Sequence, residues 1–232
     1  MSIILIAETE IDVAGADADA PIRMQLTGEM GSGKGFISDY LASKHGAVRW
    51  SRTELMKRLA HAVVDHLGDA DAILAKLFFA EDEREEVRQD LLVYANRYER
   101  EPGKPRRLYQ DITQICQEHD PFCFERELAQ RIDSVGVCAF SLVDDVRSIE
   151  ALEFFQARGY VSVRIYAEER VRRQRMLERD GYVPSKETFS HISETALREI
   201  PHDYVLDNSA DDPTAIYAEV DALVASLRES AL

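Results

Sequence analysis

The chain has 232 residues, of which 45% are apolar, and its 43 acidic against 28 basic residues give a formal net charge of −15. This length suits one globular domain with a small appended lid better than two independent domains. The excess of negative charge repels nucleic acids and anionic lipid surfaces, so we expect neither of them as a partner.

The cysteine spacing and the hydropathy pattern favour a cytoplasmic protein. Three cysteines with no metal-like spacing are simplest to interpret as reduced thiols. No apolar run approaches the roughly 20 residues of a membrane span, and the start, "MSIILIAETE", lacks the basic region of a secretion signal. We therefore expect a protein without membrane attachment, either a monomer or a homodimer.

The first part of the chain predicts an extension, a strand–loop–helix unit and a helical region. Residues 1–21 form an N-terminal extension, a possible extra strand followed by a small acidic linker, and 22–232 form the main domain. Apolar spacing predicts a strand over 22–28, a helix from Lys34 that Gly46 closes, and a second strand over 47–51. From about 52 to 134 the chain is helical in character.

The second part alternates strands and helices. The continuous apolar run "VGVCAFSLV" predicts a strand buried on both faces. The predicted elements are a strand over 135–143, a helix over 147–158, a strand over 160–167, an arginine-rich helix over 168–180, a strand over 202–208 and a helix over 213–227. This alternation predicts an α/β fold with a parallel sheet flanked by helices.

The segment "GEMGSGKG", residues 28–35, lies between the first strand and the first helix, the context that a phosphate-binding loop requires. Its glycines let several backbone N–H groups point at one oxyanion, and the helix adds its N-terminal partial charge. The alternative, a glycine-rich turn, leaves the lysine unexplained. We predict an ATP-binding loop made of Gly28, Gly31, Ser32, Gly33, Lys34 and Gly35.

The loop lacks the hydroxyl that usually follows the lysine and holds Mg²⁺. Gly35 and Phe36 occupy the two positions after Lys34, and Ser38 lies one helical turn beyond it. Mg²⁺ keeps several waters in most protein sites, so an acid at the end of another strand is sufficient. We predict Asp145, acting through water, for this role.

Several short segments occur in the order and spacing of a known family: "LTGEMGSGKGFISDYLASKHGAVRWSRTELMKRLA", "RRLYQ", "VDDVRSIEA", "RRQRMLERDG", "HISETAL" and "DYVLDN". Over residues 22–227 the chain resembles the phage-type deoxynucleoside monophosphate kinases, which are related to dephospho-CoA kinase among the P-loop kinases. The resemblance implies the P-loop nucleoside-triphosphate hydrolase/kinase fold, a five-stranded parallel core, an acceptor-binding helical region near 52–134 and a mobile lid near 168–200. It also implies transfer of the γ-phosphate of ATP, with Mg²⁺, to a small-molecule nucleotide acceptor.

Phosphoryl transfer needs positioning and neutralisation of charge, so the arginines are the next candidates. Arg147 follows Asp145 at the tip of the buried strand, and we predict that it grips the acceptor phosphate; a salt bridge to Glu150 or Asp145 is the alternative. The resemblance places Arg106 and Gln110 on the acceptor side.

Two further assignments depend on the resemblance. Arg175 and Arg179, which share a helix face with Arg172, match the lid arginines that contact donor phosphates, although a solvated basic face is the alternative. Glu54 matches the position of an aspartate that handles the acceptor hydroxyl in relatives of dephospho-CoA kinase. It would position the substrate here, unless it is an ordinary first-turn acid.

The sequence therefore predicts a P-loop nucleotide kinase in which Lys34, Asp145, Arg147 and Arg175 are catalytic. Two alternatives stay open. The acceptor is another small molecule, as in dephospho-CoA kinase, or the chain is a nucleotide-binding regulatory or interaction module with weak or no turnover, an alternative that Phe36 favours.

Overall fold

A computed structural model describes residues 21–65, 68–78, 80–100, 105–183, 198, 200–210 and 212–230, without the side chains of Arg106 and Pro213. The predicted extra strand in the N-terminal extension and the predicted lid beyond residue 183 lie largely outside these ranges. Within them, no helix is long and apolar enough to span a membrane.

The elements alternate as the sequence predicts. The first half contains β1 (Ile22–Thr27), α1 (Lys34–His45), β2 (Val48–Trp50), α2 (Thr53–Val64), α3 (Ala70–Leu77), α4 (Glu81–Ala95), α5 (Arg106–His119) and α6 (Cys123–Val135). The second half contains β3 (Phe140–Val143), α7 (Ile149–Gln156), β4 (Val161–Tyr166), α8 (Glu169–Asp180), β5 (Tyr204–Asp207), a 3₁₀ turn (Pro213–Ile216) and α9 (Tyr217–Ser230).

The five strands form one parallel sheet in the order β2-β3-β1-β4-β5. In the register of the central pair, Ile22 lies beside Phe140 and Gln25 beside Val143. The chain leaves β1 toward β2 and leaves β3 toward β4, so the two connections diverge in opposite directions. A crevice opens at such a divergence, at the carboxyl ends of the strands. The predicted five-stranded α/β architecture of the P-loop type is confirmed.

Three apolar clusters stabilise the fold. One lies between β1, β3, β4 and the helices α1 and α9, and another packs α6 and α7 against the opposite face of the sheet. The third is formed largely by α2, α3, α4 and α5, with Leu59, Val87 and Ile112 fully buried. Because the helical region has its own buried apolar cluster, it forms a wall beside the sheet.

One predicted boundary is wrong. The strand expected over 135–143 begins only at Phe140, because Val135 is the last residue of α6 and Gly136 ends that helix with a φ of 83°. Val137 is 70% exposed, so the start of the apolar run does not enter the sheet. The four residues of β3 are all buried, as a central parallel strand requires.

Candidate active site

Three helices begin at the carboxyl edge of the sheet. The helices α1, α2 and α7 follow β1, β2 and β3, and their first residues are Lys34, Thr53 and Ile149. All three residues line one cleft of about 1440 Å³. A helix N-terminus carries a partial positive charge and free N–H groups, so three of them make this cleft suitable for phosphate groups.

The loop between β1 and α1 adopts a conformation that requires its glycines. Gly28, Gly31 and Gly33 have φ values of 139°, 79° and 98°. A Cβ on Gly31 would lie 2.7 Å from the Arg172 carbonyl oxygen, and a Cβ on Gly33 would collide with the Asn208 amide. The loop therefore follows a path that side chains would block, which fits a cradle of backbone N–H groups around an anion.

Two distant residues fix this path. Asn208, which is 2% exposed and follows β5, donates from Nδ2 to the Ser32 carbonyl oxygen at 2.8 Å. Arg172 of α8 is 3% exposed and donates from Nη1 to the Met30 carbonyl oxygen at 3.3 Å. Since both donors are buried and come from separate elements, the loop is held from two sides.

A buried acid in the loop gathers three arginines. Glu29 is 7% exposed, and its Oε1 lies 2.5 Å from Arg198 Nη2 and 3.2 Å from Arg172 Nη2. Its Oε2 lies 3.8 Å from Nη2 of Arg164, which belongs to β4. One carboxylate among three guanidinium groups leaves local positive charge beside the loop, although the chain as a whole is acidic.

The structure brings Lys34, Asp145 and Arg147 together. Lys34 is 9% exposed and donates from Nζ to the Gly28 carbonyl oxygen. Arg147 Nε donates to Asp145 Oδ1 at 2.7 Å, and the Thr53 hydroxyl donates to Oδ2. Burial favours a raised pKa for Asp145, but the charges of Arg147 and Lys34 and these hydrogen bonds hold the pKa well below its usual value. Asp145 is therefore ionised throughout the physiological range.

The neighbouring acid, Asp144, has a different partner. Arg49 of β2 donates to Asp144 Oδ2 from Nη2 at 2.6 Å and from Nε at 3.0 Å. Burial raises the pKa of Asp144, and the Arg49 contacts oppose that shift. The charge of Lys34 acts on both acids, but Asp144 is paired with Arg49 of β2, whereas Asp145 is paired with Arg147 and Thr53.

The two predicted lid arginines lie in different surroundings, although both line the cleft. Arg175 donates from Nη2 to the Ala210 carbonyl oxygen at 3.2 Å, while its buried Nη1 has no hydrogen-bond partner within the described ranges. This Nη1 lies 3.8 Å from the position that a Cβ on Gly33 would occupy. Arg179, whose side chain is 56% exposed, pairs with Asp180 at 2.7 Å. Arg175 thus presents an unused donor over the loop.

The wall opposite the loop is formed by α2 and α5. Gln110, predicted for the acceptor side, lines the cleft together with Tyr109, Gln114, Gln117 and Lys57. The position of the Arg106 side chain lies outside the described part of the structure. Glu54 is exposed and lines a neighbouring pocket of about 510 Å³ with Arg58 and His61, so the structure does not bring it to the main cleft.

Sequence reasoning missed several residues that line the cleft, among them Glu29, Arg52 and Thr53. Glu29 stands at a variable position of the loop, while Arg52 and Thr53 follow β2 directly. Arg52 Nη1 donates to the buried Glu125 at 2.6 Å, which fixes it at the base of the cleft. The position of Arg52 and Thr53 after a predicted strand was a usable signal, because ligands of α/β proteins bind at that edge. No local signal pointed to Glu29.

The residues at the loop fit a magnesium ion that keeps most of its water. Ser38 donates to the Lys34 carbonyl oxygen at 3.0 Å, so its hydroxyl serves the helix and not the loop. Across the described ranges, no group of three or more His, Cys, Asp or Glu side chains could enclose a metal ion. Both oxygens of Asp145 already accept hydrogen bonds. These contacts are compatible with the prediction that Asp145 holds Mg²⁺ through water, which stays a prediction.

No protein-family model and no curated protein matches the sequence. Among solved structures, the chain is similar to TT1252 from Thermus thermophilus, a crystal structure with a TM-score of 0.51 and 18% sequence identity. The match covers 90% of this chain and 98% of that one. At this identity the likeness shows the fold alone, and it extends over nearly the whole of both chains.

Proposed function

We propose that the chain is an ATP-dependent phosphotransferase and, more specifically, a kinase of (deoxy)nucleoside monophosphates. The observation that carries the proposal is the meeting of Lys34, Asp145 and Arg147 at the carboxyl ends of β1 and β3, beside the phosphate cradle. Binding sites for single small ligands typically measure about 300 to 1,000 Å³. The cleft of about 1440 Å³ exceeds that range, and its volume supports a site for both a donor and an acceptor.

The donor phosphates would lie on the loop. Its backbone N–H groups, the N-terminus of α1 and Lys34 supply positive charge for the β- and γ-phosphates. Arg175 adds a guanidinium whose Nη1 is buried, lacks a partner within the described ranges and lies over Gly33. Asp145 would hold Mg²⁺ through water, and the bound ion would supply positive charge next to the donor phosphates.

The acceptor would lie between Arg147 and α5. A phosphate group could accept hydrogen bonds from the N–H edge of the Arg147 guanidinium; this side chain is 28% exposed while its Nε donates to Asp145. The amide side chains of Gln110 and Gln114 offer both donors and acceptors to the edge of a base, and Tyr109 offers an aromatic edge beside them. This wall combines the groups that recognise a nucleotide.

The position of Glu54 distinguishes this proposal from its nearest rival. The rival is a kinase whose acceptor group is an alcohol, as in dephospho-CoA kinase, to which the resemblance extends. An alcohol acceptor needs a base at its hydroxyl, whereas a phosphate acceptor is already ionised. Because Glu54 lines the neighbouring pocket and not the main cleft, the arrangement favours the phosphate acceptor. Under that proposal Arg147→Ala lowers turnover more than Glu54→Gln, and the opposite order supports the alcohol.

The second rival is a nucleotide-binding module without turnover, and Phe36 in place of a loop hydroxyl is the feature that favours it. The deciding experiment measures ADP release from ATP and Mg²⁺ against each nucleoside and deoxynucleoside monophosphate, dephospho-CoA and a no-acceptor control. The Lys34→Ala variant is the blank. Strong turnover with one nucleotide supports the proposal, and ATP binding without turnover on any acceptor supports the module.

A further inference from the structure

Phe36 is the last ring of a three-ring stack at the edge of the cleft. Tyr40 and Tyr217 are stacked with their centroids 3.7 Å apart and their planes 5° apart. Phe36 stacks on Tyr217 at 5.3 Å and 12°. Tyr217 begins α9, while Phe36 and Tyr40 belong to α1, so the stack joins the first and last helices described.

The other two rings of this stack, Tyr217 in the middle and Tyr40 at the far end, are anchored. Tyr40 and Tyr217 are partly buried and pack against the apolar cluster between α1, α9 and the sheet. The Tyr40 hydroxyl also donates to Asp221 at 2.9 Å. Phe36 therefore rests on a surface whose orientation is set by packing and by a hydrogen bond.

The outer ring, in contrast, borders the cleft. Phe36 is 36% exposed and lines the cleft together with Gly35 and Arg175. Within the described ranges no other ring stacks on it. A Cβ built on Gly35 would meet nothing within 4 Å, so the space beside Gly35 at the start of α1 is open. An aromatic ring in this position is ready to extend its stack by one more flat apolar group.

Resting on the function proposed above, we propose that Phe36 is the surface on which the nucleoside part of the donor nucleotide packs. The ring follows Lys34 by two residues, about 3 Å along the helix axis, which is close to the triphosphate on the loop. Every nucleobase has a flat π-face that stacks on aromatic side chains. The second residue after the loop lysine would therefore contact the nucleoside.

This arrangement predicts a specific dependence of affinity on the donor. The phosphate cradle would bind any triphosphate through the loop, Lys34 and Arg175, while Phe36 would contribute only when a nucleoside is attached. Base–aromatic stacking of the usual strength corresponds to roughly a tenfold change in the dissociation constant. Comparing the affinities for ATP and for inorganic tripolyphosphate therefore separates the contribution of Phe36 from that of the phosphate cradle.

The test is equilibrium binding of ATP and of tripolyphosphate, each with Mg²⁺, to the wild-type chain and to Phe36→Ala. We expect the variant to bind ATP about tenfold more weakly and to bind tripolyphosphate within twofold of wild type. Unchanged tripolyphosphate affinity also shows that the loop is still folded. Phe36→Trp keeps a stacking face, so this variant should bind ATP with an affinity close to that of wild type.

Two controls make the outcome decisive. Leu92→Ala removes an apolar side chain that is also 36% exposed, on α4 away from the cleft, and should change neither affinity. Equal losses for both ligands, or no loss for ATP, would overturn the role of Phe36.

If Lys34→Ala binds ATP as wild type does, the proposed function fails as well. If Lys34→Ala loses ATP while Phe36→Ala does not, only this inference fails.

Discussion

Arg198 donates to Glu29 across a separation of 169 residues, with its Nε 2.7 Å from Glu29 Oε1. Glu29 belongs to the phosphate loop, and the same Oε1 contacts the buried Arg172. The loop is therefore held by charge as well as by the shape of its glycines. The consequence for stability can be tested with single substitutions.

The first prediction concerns this carboxylate. Glu29→Gln removes the buried carboxylate that pairs with Arg172, whose side chain is 4% exposed. Breaking a buried pair by removing one partner costs about 3 kcal/mol or more, so we expect that loss in the free energy of unfolding measured with urea. Glu85→Gln is the matched control, because Glu85 pairs with Arg88 on the exposed side of α4. Its loss should stay below about 1 kcal/mol. Equal losses for both variants would contradict the prediction.

The second prediction separates the two adjacent acids. Asp145→Asn places an amide opposite Thr53 and Arg147, both of which donate hydrogen bonds to Asp145. We expect turnover with the acceptor identified by the panel to fall at least about 100-fold, the usual effect of removing a group that organises charge in the transition state. Asp144→Asn breaks the pair with Arg49 and should lower turnover less than about tenfold. The assignment is wrong if the two variants lose similar activity.

The third prediction compares two glycines of the loop. Gly33 has a φ of 98°, and a Cβ there would collide with Asn208, so Gly33→Ala should both destabilise the chain and weaken ATP binding. Gly35 lies in the first turn of α1 with open space at its Cβ position, so Gly35→Ala should leave the melting temperature unchanged or slightly raised. Melting temperature and ATP affinity measured on both variants check this. A Gly33→Ala protein as stable as wild type would show that the loop adopts another path.

The fourth prediction concerns pH and the contact between α1 and α9. Hydrogen bonds from Lys44, His45 and Tyr40 lower the pKa of Asp221 from 3.8 to about 2. A lowered pKa means that the ionised side chain stabilises the fold fully above its unfolded pKa of about 4, and that this stabilisation is lost as the pH falls toward 2. The difference in urea midpoint between wild type and Asp221→Asn should be constant at pH 5 to 7 and shrink below pH 4.

The matched control for the pH prediction removes the main cause of the shift. In a Lys44→Gln background, Asp221→Asn should have a smaller effect at every pH, because the strongest hydrogen bond to Asp221 is already gone. A difference that grows as the pH falls would show that the pKa of Asp221 is raised and not lowered.

Much of the fold follows from local sequence patterns. The buried strands β1 and β3, the helix after Lys34 and the position of Asp145 and Arg147 after β3 were predicted from apolar runs and from residues that follow them. Such features depend on neighbours within one turn or one strand. The error at residues 135–139 has a local cause too, because an apolar end of α6 continues into the apolar start of β3.

Other features of the site could not be predicted from the sequence, because they join distant residues. Glu29 gathers Arg164, Arg172 and Arg198 from elements that no local pattern relates to the loop. The pairing of Arg179 with Asp180 is different, because it joins adjacent residues; it competes with the predicted role of Arg179 at the donor phosphates. The sequence spacing of residues identifies which of them share a helix face, but it does not identify the residue with which each side chain forms a hydrogen bond or ion pair.

Asn208 and Ser32 are 176 residues apart, although one hydrogen bond joins them. A ribosome makes the phosphate loop early and reaches Asn208 only after all four other strands, so the loop spends most of synthesis without this anchor. A growing chain that stops before β5 lacks both the Asn208 contact and the ring of Tyr217 beneath Phe36. The loop is thus among the first parts of the domain to be translated and among the last to be completed.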